Sequence, residues 1–199
     1  MGLNRRQLML GAAASALAGL ANAAGEKKHE WAKKPDVPTD FNPEEFFVEL
    51  QEKGTGIHFP AAKGNPTAFM VFDTQCPWCV WEFKELEPFM DKVNFVWFPV
   101  AVLSKWSERQ GAVILADKNP VAKFMEHEAH FKDADFRGLD VRGKEIPEDM
   151  VDAVWTNSKI YRRAGGRTVP FGVIRLNDGR YVPIAEQKTD AFAKLIGLK

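Results

Sequence analysis

The sequence predicts an α/β fold in which a βαβ half and a C-terminal hairpin-and-helix half are separated by a helical insertion at about residues 104–165. Three observations carry this expectation. Residues 67–73 and 94–100 are short apolar runs bounded by turn residues, with a helical-period segment between them. From Ser104 to Tyr161 the apolar residues recur at helical spacing instead. Finally, residues 171–176 and 180–184 flank Asn177-Asp178-Gly179, whose Asp-Gly suits a tight hairpin turn.

Composition agrees with one packed domain. The chain has 199 residues, 45% hydrophobic and 27% charged, enough to build a core without cross-links. Disorder, collagen and a disulfide-stapled miniprotein are excluded. With 27 basic and 27 acidic side chains, nothing in the charge balance calls for a nucleic-acid or anionic-membrane partner, which needs clustered Lys and Arg.

Residues 1–23 read as a cleavable export signal: Arg5 and Arg6, an uncharged Ala- and Leu-rich run, then the small-x-small site Ala21-Asn22-Ala23. The run from Leu8 to Leu20 is shorter than the roughly 20 residues that a membrane span requires. Asn4-Arg5-Arg6-Gln7-Leu8-Met9 resembles a twin-arginine signal, but paired arginines also open general secretory signals, so both routes fit. Cleavage leaves 25 bases against 27 acids, a net charge of −2. Residues 24–40 are charged, proline-containing and aperiodic, which predicts a flexible leader ahead of a domain at 41–199.

Asn42-Pro43-Glu44-Glu45 marks a helix start: Asn accepts from an unpaired N–H, Pro suits the first position, and the acids complement the positive end. This helix should stop near Gly54, followed by a short strand at 57–60. After the 67–73 strand, a helix is expected to about Met90, with Val80, Phe83, Leu86 and Met90 on its apolar stripe and a kink at Pro88. Strand 94–100 follows. Insertion helices are expected at 107–117, 121–131 and 148–162, the last with Val151, Val154, Trp155 and Tyr161 on one face. Arg162 and Arg163 suit the negative end of that helix. A final helix at 190–198 closes the chain.

Chemistry concentrates at Cys76-Pro77-Trp78-Cys79, where a buried strand hands over to a helix. A cysteine at a helix N-terminus meets unpaired N–H groups and the aligned peptide dipoles, which favour the thiolate, the nucleophile of disulfide exchange. Cys79 lies about one turn further on, within reach of a mixed disulfide on Cys76. Pro77 and Trp78 stiffen the loop and add apolar surface. A zinc site would need two further ligands, and His127 and His130 have the wrong spacing, fitting the polar face of an insertion helix instead. An inert Cys76–Cys79 cross-link would constrain very little chain. Thr168-Val169-Pro170 opens the 171–176 strand, and a cis bond at Pro170 would turn the Thr168 and Val169 backbone toward an incoming peptide. Trp78 and Phe171 are candidates to line an apolar substrate groove. Asp73 is a candidate for proton handling or, equally, for capping local N–H groups.

Together, residues 71–79, 112–120 and 168–170 resemble the periplasmic thiol:disulfide interchange proteins of the DsbG and DsbC type, thioredoxin-fold proteins with a helical insertion, over roughly residues 66–199. The resemblance implies that Cys76 is the nucleophile, Cys79 resolves and Pro170 is cis beside them. It implies as partners exported proteins with cysteines and a membrane electron donor of the DsbD type, with no cofactor beyond the redox-active Cys76–Cys79 pair and no metal. Two features depart from or qualify it. The family's N-terminal dimerisation domain finds no room before Cys76, which predicts a monomer and admits a disulfide-donating role like that of DsbA. The buried acid that many thioredoxins carry six residues before the first cysteine is Met70 here, as in the reductive branch. The sequence thus points to a periplasmic reductase or isomerase of disulfides, and of cysteine sulfenic acids, with a DsbA-like oxidase and a non-catalytic, chaperone-like peptide-binding module as alternatives.

Overall fold

The computed structural model describes residues 37, 38, 40–185 and 187–198; the expected export signal at 1–23 and leader residues 24–36 lie outside them. In chain order the elements are α1 (Pro43–Lys53), β1 (Ile57–Phe59), β2 (Thr67–Phe72), α2 (Pro77–Leu86), a 3-10 turn (Glu87–Phe89), β3 (Asn94–Pro99), α3 (Lys105–Ala116), α4 (Pro120–Ala129), α5 (Glu148–Arg163), β4 (Phe171–Arg175), β5 (Tyr181–Ile184) and α6 (Thr189–Leu195). The strands form one mixed sheet in the order β1-β3-β2-β4-β5. β2 and β3 run parallel, and the pairs β1–β3, β2–β4 and β4–β5 are antiparallel.

β2 and β3 are buried from their second residue onward, as a parallel pair covered on both faces requires. Alternation along the strands sends successive side chains to opposite layers. On one face, Phe47 of α1 stacks on Phe69 at 4.0 Å, and Phe69 meets Phe98. On the other, Phe83 of α2 and Phe124 of α4 close on Trp97, and Phe72 meets Phe124 edge-on. α2 therefore lies on a sheet wedged by large aromatic rings, which fixes the height of its N-terminus over the end of β2.

Several expected boundaries move. The helix after the cysteines ends at Leu86 instead of running kinked to Met90, because Pro88 has no N–H for the α-helical ladder; the chain tightens into the 3-10 turn, and Met90 N–H bonds the Glu87 carbonyl at 3.2 Å. α6 stops at Leu195, where Leu198 N–H turns back to the Ala193 carbonyl at 2.8 Å. The hairpin loop has three residues between Leu176 and Arg180, whose backbones bond at 2.9 Å, and Gly179 takes the left-handed conformation (φ 87°) that closes such a loop. Ahead of the domain boundary expected at residue 41, Val37 already packs against the core. Arg163 does more than meet its own helix end: its guanidinium pairs with Glu49 of α1.

Candidate active site

The site is built on the turn between β2 and α2. Asp73, at the end of β2, is buried, and its carboxylate accepts four hydrogen bonds: from Gln75 N–H (2.9 Å) and Ser107 O–H (2.6 Å) on Oδ1, and from Val102 and Leu103 N–H (2.9 Å each) on Oδ2. It thereby ties the strand end to the loop after β3 and to α3. The Asp73 carbonyl in turn accepts from Cys76 N–H at 2.9 Å.

Cys76 is the N-cap of α2, with extended backbone (φ −90°, ψ 114°) and Pro77 at the first helical position. Its Sγ accepts from Cys79 N–H at 3.4 Å, using one of the otherwise unpaired donors of the first turn. No acid occupies that turn to oppose a negative sulfur. Both cysteines are free thiols and both are buried. Their surroundings split them. The hydrogen bond from the Cys79 thiol holds Cys76 below an ordinary thiol against the opposing effect of burial, with further help from the Cys79 and Trp78 N–H groups. Burial pushes Cys79 well above the usual range, and the neighbouring Cys76 sulfur pushes it the same way.

The second wall of the site comes from the loop before β4. Val169–Pro170 is cis, and the Cys76 thiol meets the Val169 carbonyl at 3.4 Å. Thr168 is held by Tyr161 of α5, whose hydroxyl donates to the Thr168 carbonyl at 2.6 Å. Thus Cys76, Cys79, Pro77 and the 168–170 loop come together as a unit. Trp78 stands beside them, 38% exposed. Phe171 does not join the surface: it is buried and meets Phe41 and Phe46, because alternation along β4 turns its ring toward α1.

His127 corrects a further expectation. It is fully buried, whereas His130 is exposed and bonds Asp133 at 2.7 Å. The ring Nδ1 of His127 accepts from Leu139 N–H (3.2 Å), so Nε2 carries the proton and donates to the Thr74 carbonyl (2.8 Å). Burial pushes its pKa down to about 4, so it sits there as the neutral ring. Gly138, at φ 73°, passes against this ring where any Cβ would collide with it. Alongside, Gln75 donates to Gln110 Oε1 (2.7 Å), Gln110 donates to the Arg137 and Leu139 carbonyls (2.7 and 2.9 Å), and Arg137 donates to the Gln75 carbonyl (3.0 Å). The insertion therefore clamps the residues that lead into Cys76. Among the described residues, no group of three His, Cys, Asp or Glu is arranged to hold a metal ion.

No family model and no curated protein matches the chain. Solved structures do. A periplasmic thioredoxin-like protein from Salmonella enterica serovar Typhimurium superposes with a TM-score of 0.59 at 15% identity, over 76% of this chain and 94% of that one. The fold is thioredoxin-like. Pseudomonas aeruginosa DsbA2 gives 0.57 at 19% identity, over 70% of this chain and 91% of that one, and Helicobacter pylori DsbG gives 0.53 at 20%, over 66% and 61%. Because the likeness extends to DsbA2 as well as DsbG, it carries the fold and not the DsbG/DsbC type.

Within the thioredoxin-like frame, sequence reasoning missed Tyr161, His127, Gln110 and Arg137 as parts of the site. Tyr161 and His127 left one signal each: a hydroxyl and an imidazole on helices that also bury apolar residues, Val154 and Ile160 on α5 and Phe124 on α4, where a polar atom must find a partner.

Proposed function

We propose that the protein is a periplasmic thiol:disulfide oxidoreductase that reduces or isomerises disulfides in exported proteins. The observation that carries the reading is the split pair: Cys76 favoured as thiolate at the start of α2, Cys79 held protonated and buried behind it. The Cys76 thiolate attacks one sulfur of a substrate disulfide, forming a mixed disulfide and releasing the other substrate sulfur as thiolate. Cys79 then loses its proton and attacks Cys76 Sγ; the Cys76–Cys79 disulfide forms and the second substrate sulfur leaves. Two electrons pass to the substrate, and a membrane thiol–disulfide donor returns them. When the bond attacked belongs to a wrong pairing and the released thiol attacks elsewhere, the outcome is isomerisation. A sulfenic acid enters at the first step, condensing with Cys76 and losing water.

The Thr168 and Val169 backbone, in the bend that leads into β4 beside Cys76, offers peptide groups with which a substrate chain would pair. The export signal expected at residues 1–23 supports the compartment, as does the periplasmic description of the Salmonella neighbour; no described helix is long and apolar enough to cross a membrane. The reading takes the protein as a monomer. A second reading, disulfide donation, is favoured by one observation: stabilising the Cys76 thiolate stabilises the dithiol and so makes the disulfide more oxidising.

The test is assay of the mature protein on a model disulfide and on a scrambled substrate. Cys76→Ser abolishes turnover, and Cys79→Ser accumulates mixed disulfides with exported proteins. Absence of turnover in the wild type, with peptide binding that Cys76→Ser leaves intact, overturns the reading in favour of a non-catalytic peptide-binding module. A reduction potential close to the strongest oxidants, about −120 mV, selects the donor instead.

A further inference from the structure

A groove of about 480 Å³ runs beside the cysteines, between α2 and the loop that follows α4. Pro77, Val80, Trp81 and Lys84 line one side of it. These positions share one face of α2, and the seven-residue step from Pro77 to Lys84 covers about 10 Å, the length of roughly three extended residues. The near end is thus the residue next to Cys76, and the far end is a lysine.

Phe131 completes the apolar lining, while Lys132, Asp133 and Arg137 edge the opposite side. The charge there is one-sided. Asp133 is bonded by His130 at 2.7 Å, and Arg137 donates to the Gln75 carbonyl and lies over the Phe131 ring. Among the described residues, neither Lys84 nor Lys132 has an acid within ion-pair distance. Glu128 faces Lys84 from α4, but burial pushes its carboxyl up to about 7, which weakens the charge it sets against the lysine. Three lining cations against one bonded lining acid and the weakened Glu128 is an excess on a chain that, without residues 1–23, carries slightly more acid than base.

Resting on the oxidoreductase reading above, we infer that this groove seats the substrate chain flanking the reactive cysteine and selects an apolar side chain next to it with an acidic residue about three positions away. The apolar walls take the side chain, and Lys84 and Lys132 meet the carboxylate as the mixed disulfide forms.

The experiment uses the reduced mature protein and cysteine peptides joined as mixed disulfides to thionitrobenzoate, whose release is followed by absorbance. One series carries Leu beside the cysteine and Glu at the third position before or after it; the paired series has Lys in place of Glu. The acidic peptide in the better direction reacts about tenfold faster at low salt, at the modest end of electrostatic steering, and the gap narrows as salt rises. With each rate divided by that for a small neutral disulfide, Lys132→Glu, at an exposed loop position, reduces the gap, and Lys84→Glu with Lys132→Glu reverses it. Equal rates for both series, or a preference that survives the charge reversal, overturn the inference while leaving the redox reading in place. Absence of any Cys76-dependent release from the small neutral disulfide instead overturns the redox reading beneath it.

Discussion

The Cys76 thiol lies 3.4 Å from the carbonyl of Val169, a residue 93 positions away in the chain. That contact joins the start of α2 to the cis-proline loop and makes one surface of two distant segments. It also sets two demands on Cys76. As a thiol it can donate to the carbonyl; as a thiolate it must be held by the Cys79 thiol and the first-turn N–H groups.

The reduced protein therefore shows two thiols with opposite titration. Iodoacetamide trapping across pH should give Cys76 an apparent pKa below an ordinary thiol, while Cys79 stays unreactive to well above it. Cys79→Ala removes the leading stabilising hydrogen bond and moves Cys76 back up. The stability of the reduced form follows the same signs. The Cys76 contribution is complete above the unfolded thiol value of about 8.5 and is lost as pH falls through its lowered folded value. Cys79 acts oppositely, and stability falls as pH rises past about 8.5, where the unfolded thiol ionises more readily than the buried one. An alkylation profile with Cys79 as the more acidic thiol would refute the assignment of roles.

Asp73→Asn separates bridging from proton handling. An amide nitrogen cannot accept, so one pair of donors among Val102, Leu103, Gln75 and Ser107 is left facing it, at a cost of about 2–3 kcal/mol in urea unfolding. The Asp73 charge opposes ionisation of Cys76, so its removal moves the Cys76 thiolate to still lower pH. With all four of its hydrogen bonds satisfied by the backbone and Ser107, the carboxylate is expected to leave the rate of mixed-disulfide resolution unchanged. Slower resolution in a variant that remains folded would give Asp73 the proton-transfer role.

How far the sequence carried the fold depended on the range of the contacts involved. The runs at 67–73 and 94–100, the Asn42 cap, the cysteine motif and the Asp178-Gly179 turn are written in adjacent residues, and each appears where local patterning put it. Phe171 failed as a groove residue because β4 is covered on both faces, and which layer a side chain enters is fixed by its register on β2, not by its neighbours in sequence. His127 failed for a similar reason: its partner Thr74 is 53 positions away, and a polar residue on an insertion helix reads as solvated until the loop holding Leu139 covers it.

Tyr161→Phe tests whether the cis-proline loop is held from behind. The substitution keeps the buried ring but removes the hydroxyl that donates to the Thr168 carbonyl at 2.6 Å, leaving that acceptor without its partner at a cost of about 1–3 kcal/mol. If the loop presents backbone to the substrate, as proposed above, the loss should appear in KM for peptide disulfides more than in the rate with a small neutral disulfide. An equal loss on both substrates would mean that Tyr161 supports the fold alone.

His127→Gln gives the most direct reading of the clamp on the segment before Cys76. In the folded protein His127 is kept neutral, its pKa pushed down to about 4 by burial, while in the unfolded chain it titrates near 6.5. Between those values the unfolded state binds the extra proton, so acidification from pH 6.5 to 4 removes stability, by up to about 3 kcal/mol if the whole shift is realised. The neighbouring Glu128 works against this: burial raises its carboxyl to about 7, so its contribution falls as pH rises from 4.5 toward 7. Glutamine can donate to Thr74 and accept from Leu139 without titrating. Urea unfolding across pH 4–7 should therefore show a steeper loss on acidification in the wild type than in His127→Gln, with Glu128→Gln steepening it further. His127→Ala, which leaves both the Thr74 carbonyl and the Leu139 N–H unpaired, should be destabilised at every pH in this range and should also shift the Cys76 alkylation profile. If the wild type and His127→Gln lose stability in parallel as pH falls, the imidazole is not the neutral bridge between Thr74 and Leu139.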